Sequence, residues 1–105
     1  MLHTLDLAAV WPYIYAAVGI HPDHVGELDP DRFNKLRDYC RRDKVVAVGE
    51  IGLDYHWDVE PREVQKDWFR KQLLLAREMK LPVVIHSRDA ARVSRMPLKI
   101  KTLYL

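Results

Sequence analysis

Residues 45–58 read VVAVGEIGLDYHWD. Val45, Val46 and Val48 are β-branched and suit a pleated, half-buried surface, so residues 44–50 are expected to form a strand. That strand closes on a carboxylate, Glu50, set between Gly49 and Ile51. A carboxylate buried at the end of an apolar run is costly unless it is paired or bound to a cation. The expectation is therefore a buried Glu50 facing a positive charge. Asp54, Tyr55, His56 and Trp57 follow on what reads as a loop, either stabilising it or walling a ligand site.

The flanking sequence repeats the pattern. Residues 13–20, rich in β-branched and aromatic side chains, read as a buried strand closed by His21-Pro22. Residues 83–86 read as another, opened by Leu81-Pro82, where proline is tolerated at the first strand position. Asp29-Pro30 marks a helix start, with Asp as N-cap and Pro at the first helical position. Phe33, Leu36 and Cys40 then fall on one apolar stripe. A longer helix is expected from near Pro61 to about Lys80. Its buried face is read from Val64, Trp68, Phe69, Gln72, Leu73, Ala76 and Met79, which recur at three- and four-residue spacings. Residues 2–10 also read as a helix, stopped by Pro12, and the segment from Asp89 as another, interrupted by Pro97. The final LKIKTLYL (98–105) reads either as an edge strand or as a tail.

Apolar strands joined by amphipathic helices imply an α/β fold, a parallel-sheet βαβαβ unit with the sheet covered on both faces. All strands then run the same way, which puts His21, Glu50 and His86 at one sheet edge. That edge carries the active site in parallel α/β architectures.

Two imidazoles and a carboxylate at one rim make a plausible divalent-metal constellation, suited to Zn, Mn or a similar ion. A bridging carboxylate also suits a two-metal site for phosphodiester cleavage. Plainer roles stand beside this one. His21, followed by Pro22, reads more readily as a hydrogen-bonded turn residue than as a ligand, and Glu50 could pair with Arg88 instead of a cation.

The composition frames these readings. The chain has 105 residues, 49% hydrophobic and 30% charged, with a formal net charge of +2. That is one small globular domain, and the charge is too mild to announce a nucleic-acid binder. From Ser87 onward Arg88, Arg92, Arg95, Lys99 and Lys101 face Asp89 alone, which makes a basic tail. Cys40 is the only cysteine, which excludes an intramolecular disulfide and fits a reducing, cytoplasmic setting. It lies on a helical stripe and reads as core. The longest uncharged run, residues 7–20, is too short to span a bilayer and contains Pro12.

VGIHP (18–22), VVAVGEIGLDYHWD (45–58), QKDWFRKQLLLA (65–76) and LPVVIHSRDA (81–90) occur in the order seen in TatD-family metal-dependent deoxyribonucleases. The chain resembles that family from residue 7 to residue 91. The resemblance implies part of a (β/α)8 TIM barrel, divalent metal ions (Zn, Mg or Mn, two in the full family site) and DNA as substrate. By position Glu50 matches the metal-bridging glutamate and His86 a metal-binding histidine. His21 matches a motif residue beside the site, expected to be substrate-facing or to support a ligand, and Asp54 and Arg88 fall at motif positions on the rim.

The departures are equally specific. The family's opening His-x-His pair has no counterpart, and His3 stands alone. The family's later His and Asp ligands would follow His86, where ARVSRMPLKIKTLYL (91–105) does not match. A full barrel needs about 250 residues. The expectation is thus the middle of a barrel, corresponding to its third, fourth and fifth strands over residues 1–91, with an unmatched basic tail over 92–105. Two open sheet edges would favour self-association, and activity of this chain alone is expected to be weak or nil. Other readings are a non-catalytic fragment, a protein-interaction module, or another ester hydrolase such as an aminoacyl-tRNA deacylase.

Overall fold

The computed structural model describes residues 15–90 and 102–104. The helices expected over 2–10 and beyond Asp89, His3, and the basic residues 92–101 lie outside them.

Four strands form one sheet in the order β1-β2-β3-β4, and every pairing is parallel. They are β1 (Ala16–Val18), β2 (Val45–Asp54), β3 (Val83–Arg88) and β4 (Thr102–Tyr104). Between them run a short 3-10 turn (Pro22–Glu27) and two α-helices, α1 (Pro30–Tyr39) and α2 (Arg62–Met79). The βαβαβ order expected of the sequence is the order observed. β4 adds a parallel strand beside β3, so Thr102–Tyr104 of LKIKTLYL is an edge strand of the described sheet.

Helix α1 starts as its sequence dictates: the Asp29 carboxylate accepts from the Arg32 amide at 2.8 Å, with Pro30 at the first helical position. The buried face of α2 differs from the expected stripe. Gln65, Phe69, Gln72, Leu73, Leu75 and Ala76 are buried, whereas Val64 and Trp68 are only half-buried. Both helices feed one core. Leu36 and Cys40 of α1 and Phe69, Leu73 and Ala76 of α2 pack with Val18, Val48, Ile51, Val83 and Ile85 of the sheet. Ala17 and Val46 are exposed, whereas Ala47, the register partner of Ala17, is buried. Among the described residues no helix is long and apolar enough to cross a membrane.

β2 is longer than the sequence pattern implies. The register runs Gly49↔Val84 and then Ile51↔Ile85, so Glu50 is an extra residue in a β-bulge. Bulges re-aim a side chain without ending the strand. Beyond it, β2 continues to Asp54 and β3 to Arg88. Gly52 makes the continuation feasible: its φ is +146°, and a Cβ there would lie 1.9 Å from the His86 carbonyl oxygen. Only glycine lets the two strands approach so closely.

Candidate metal centre

His21, just beyond β1, Glu50, in the bulge of β2, and His86, within β3, come together in one place. One ligand-type atom from each lies within 4.8 Å of the others. The His21 and His86 rings are 4.5 Å apart at their centroids.

Glu50 sits in the bulge with its side chain 41% exposed, its Oε1 3.5 Å from His86 Nδ1. The expectation of a buried carboxylate is therefore corrected. The bulge turns Glu50 out of the packed core, so little of its hydration is lost and no large burial cost has to be offset. The alternative partner is also absent: Arg88 lies over the Trp57 ring at 6.0 Å from its centroid and makes no ion pair with Glu50.

Asp54 is the buried carboxylate. It is the last residue of β2, 2% exposed, not part of the following loop as the sequence reading had it. Its Oδ2 is 2.9 Å from His86 Nε2, and its Oδ1 accepts from the His56 amide at 3.1 Å. Burial pushes this carboxyl upward. The hydrogen bonds from His86 and from the Trp57 and His56 backbone outweigh burial and hold it below its usual range. An ionised carboxylate only accepts, so His86 Nε2 is the donor.

Both ring nitrogens of His86 face carboxylates, and Asp54, the nearer of the two, takes the N–H of a neutral ring. With its proton on Nε2, a neutral His86 ring turns a bare Nδ1 lone pair toward Glu50. Two ligands at roughly 2.0–2.1 Å from one ion, at the tetrahedral angle, lie about 3.4 Å apart. The observed 3.5 Å between His86 Nδ1 and Glu50 Oε1 fits a shared divalent cation. A carboxylate behind a histidine ligand is also the usual device for orienting that ligand toward a metal.

His21 differs. Its Nδ1 accepts the Asp23 amide at 3.1 Å and caps the 3-10 turn, which leaves the ring proton on Nε2. Burial, then the neighbouring His86 ring, push its pKa down against the pull of Asp23, Glu50 and Asp54. In this state His21 is a hydrogen-bond donor beside the other two, and it can ligate only by giving up its cap. The remaining rim is polar and aromatic: His56 Nδ1 lies 3.1 Å from Asp89 Oδ2, and Trp57 is 66% exposed.

The TatD-related DNase family model matches residues 1–101. The chain belongs to the TatD-related DNase family. Its relatives include an uncharacterized metal-dependent hydrolase, YabD, of Bacillus subtilis, 42% identical over 82% of this chain and 34% of that protein. The 3'-5' ssDNA/RNA exonuclease TatD of Pantoea ananatis is 38% identical over 74% of this chain and 30% of that protein. The crystal structure of YjjV, a TatD homologue from Escherichia coli, superposes with a TM-score of 0.82 at 36% identity, covering 90% of this chain and 37% of that one. The chain spans about a third of the length of the curated relatives it matches. Its fold is accordingly the βαβαβ part of a TatD-type (β/α)8 barrel.

Two residues of this TatD-family chain escaped the sequence reading as site components. Gln65 and Gln72 are fully buried on α2, and each holds the backbone at a strand end. Gln65 accepts from the Asp54 amide at 2.8 Å and donates to the Asp54 and Glu60 carbonyls at 3.2 and 2.8 Å. Gln72 accepts from the Ile20 amide at 2.7 Å and donates to the Ile20 and Trp68 carbonyls, both at 3.3 Å. Two uncharged polar residues seven positions apart, amid buried apolar ones, were the available signal.

Proposed function

We propose that Glu50 and His86 are ligands of a divalent cation, Zn, Mn or Mg, in the site of a metal-dependent hydrolase that cleaves phosphodiester bonds of DNA. The observation that supports this reading is the pairing of His86 Nδ1 with Glu50 Oε1 at 3.5 Å while Asp54 holds Nε2 from behind. A divalent ion there would polarise a phosphate oxygen and lower the pKa of a bound water. His86 and Glu50 supply donor atoms, Asp54 fixes the ring, and His21 offers an N–H to a phosphate oxygen. Arg88 supplies a positive charge at the rim, beside the exposed Trp57.

Two protein ligands fall short of the three that a catalytic zinc usually takes. Further ligands, and a second ion, would come from other strands of a complete barrel, within a longer protein or from another chain. These 105 residues alone therefore bind metal but hydrolyse little or nothing. Among the described residues β1 and β4 are the sheet edges, and self-association through them belongs to the same reading. So does a reducing, cytoplasmic setting, supported by the lone, buried Cys40.

The test is calorimetric titration of the chain with Mn²⁺ and Zn²⁺. Binding at micromolar metal, weakened about tenfold or more by Glu50→Gln and by His86→Ala, supports the reading. A folded wild-type chain that takes up neither ion overturns it.

A further inference from the structure

The two glutamines of this chain, Gln65 and Gln72, both lie on α2 and are both inaccessible to solvent. Each uses its carboxamide in the same way. The oxygen takes the N–H, and the NH2 group the C=O, of a single strand-end residue, Asp54 for Gln65 and Ile20 for Gln72. A carboxamide carries the same donor and acceptor pair as a peptide unit, so it can stand in for a neighbouring strand. Such a stand-in is needed here. β1 leaves its ladder at Val18↔Val48, two residues before Ile20, and β2 is at its last pair, Asp54↔Arg88. Buried backbone N–H and C=O groups at these ends require partners.

What the clamped residues carry is the informative part. The backbone held by Gln65 bears the carboxylate that takes the His86 Nε2 proton. The backbone held by Gln72 immediately precedes His21, whose ring packs against His86. Helix α2 thus reaches both sides of the centre through two residues separated by seven positions, on one helical face.

We propose that Gln65 and Gln72 are positioning residues of the candidate metal centre, Gln65 setting the His86 ring through Asp54 and Gln72 setting the His21 ring through Ile20. This inference rests on the reading of Glu50 and His86 as metal ligands. It explains why QKDWFRKQLLLA, remote from the rim in sequence, carries polar residues on its buried face. A purely structural role would let either glutamine be lost with the same diffuse effect on both rings. The positioning role assigns each glutamine to one ring.

The experiment uses the metal-free 105-residue chain and the imidazole ¹⁵N resonances, which report the tautomer of each histidine. Measured at a pH where both rings are neutral, His86 and His21 of the wild type are expected in the Nε2–H form. Gln65→Met should move His86 toward a mixture of tautomers and leave His21 unchanged, and Gln72→Met should do the reverse. Mn²⁺ affinity should fall by about ten- to a hundredfold in Gln65→Met. Folded variants whose rings are unaltered, or whose two rings shift together in both variants, overturn the proposal.

If either variant does not fold, the wild type decides. Asn34, exposed on α1, is the one other side-chain amide of the chain and serves as the internal reference. The Gln65 and Gln72 NH2 protons should exchange about a hundredfold more slowly than those of Asn34, and equal rates overturn the clamps. A wild-type chain that binds no Mn²⁺ yet holds both tautomers overturns the metal reading and leaves the clamps standing. Rings indifferent to both substitutions, in a chain that binds Mn²⁺, do the opposite.

Discussion

Asp54 Oδ2 lies 2.9 Å from His86 Nε2, and this contact decides which nitrogen of His86 faces Glu50. In the neutral ring the nearer acceptor, behind it, holds the proton on Nε2 and leaves Nδ1 bare. Asp54→Asn exchanges that acceptor for an amide whose NH2 can donate to Nε2, which drives the ring proton onto Nδ1 and blocks the ligand position. The expected outcome is a loss of divalent-metal affinity of about ten- to a hundredfold with the secondary structure kept. Calorimetry beside circular dichroism checks it, and unchanged affinity in a folded variant removes Asp54 from the orienting role.

Gly52 tests the route by which β2 passes the bulge. A methyl group at this position meets the His86 carbonyl oxygen at 1.9 Å, a backbone atom that cannot swing aside, and the φ of +146° is unfavourable for any L side chain. Gly52→Ala should destabilise the chain by more than about 2 kcal/mol. Urea unfolding measures this. A smaller loss would mean that the two strands separate readily at Gly52↔His86, and the geometry of His86 would then not be tightly held.

The legible and illegible parts of this molecule divide along physical lines. Period-two and continuous apolar runs mark β1, β2 and β3, and the residues that end them, His21, Glu50 and His86, converge because parallel strands share an edge. The bulge left no such mark. Glycine on both sides of a charge looks like the end of a strand, whereas Gly49 and Gly52 let β2 run on past Glu50. Roles were exchanged as a result. Glu50 looked buried and is half open, while Asp54 looked like a loop residue and is the carboxylate in the interior. Gln65 was missed because a hydrophobic pattern records only apolar partners. Its partners are backbone groups, which no side-chain pattern reveals.

Cys40 gives an independent check on the core. It is buried at the end of α1, and burial pushes the thiol pKa up against the pull of Arg37 and Arg41. The thiolate is the reactive form, so the folded chain should label slowly with a disulfide reagent at mildly alkaline pH. Labelling should accelerate with urea in step with loss of circular dichroism. Fast labelling of the native chain would mean that α1 is not seated on the sheet.

Two groups at the candidate site make stability depend on pH, and both act with one sign. Asp54 is held below its usual 3.8 in the folded state, mainly by His86 and the Trp57 and His56 amides acting against burial. Its stabilisation is complete above 3.8 and is lost as the pH falls through the lower, folded value. His21 is held below its usual 6.5, by burial first and His86 second, so between its folded value and 6.5 the unfolded chain binds the extra proton. Stability then rises with pH across that interval, because the unfolded state carries more protons. Both groups therefore weaken the metal-free chain on acidification, His21 beginning just below 6.5 and Asp54 only below 3.8. Urea midpoints measured from neutral to acidic pH should show two successive declines. His21→Gln should erase the upper one, and Asp54→Asn should shrink the lower, to which Asp58, held below its usual range by its hydrogen bond with Arg62, also contributes. A midpoint that rises on acidification from neutral pH would contradict the half-buried, uncharged His21 beside His86 on which the donor role depends.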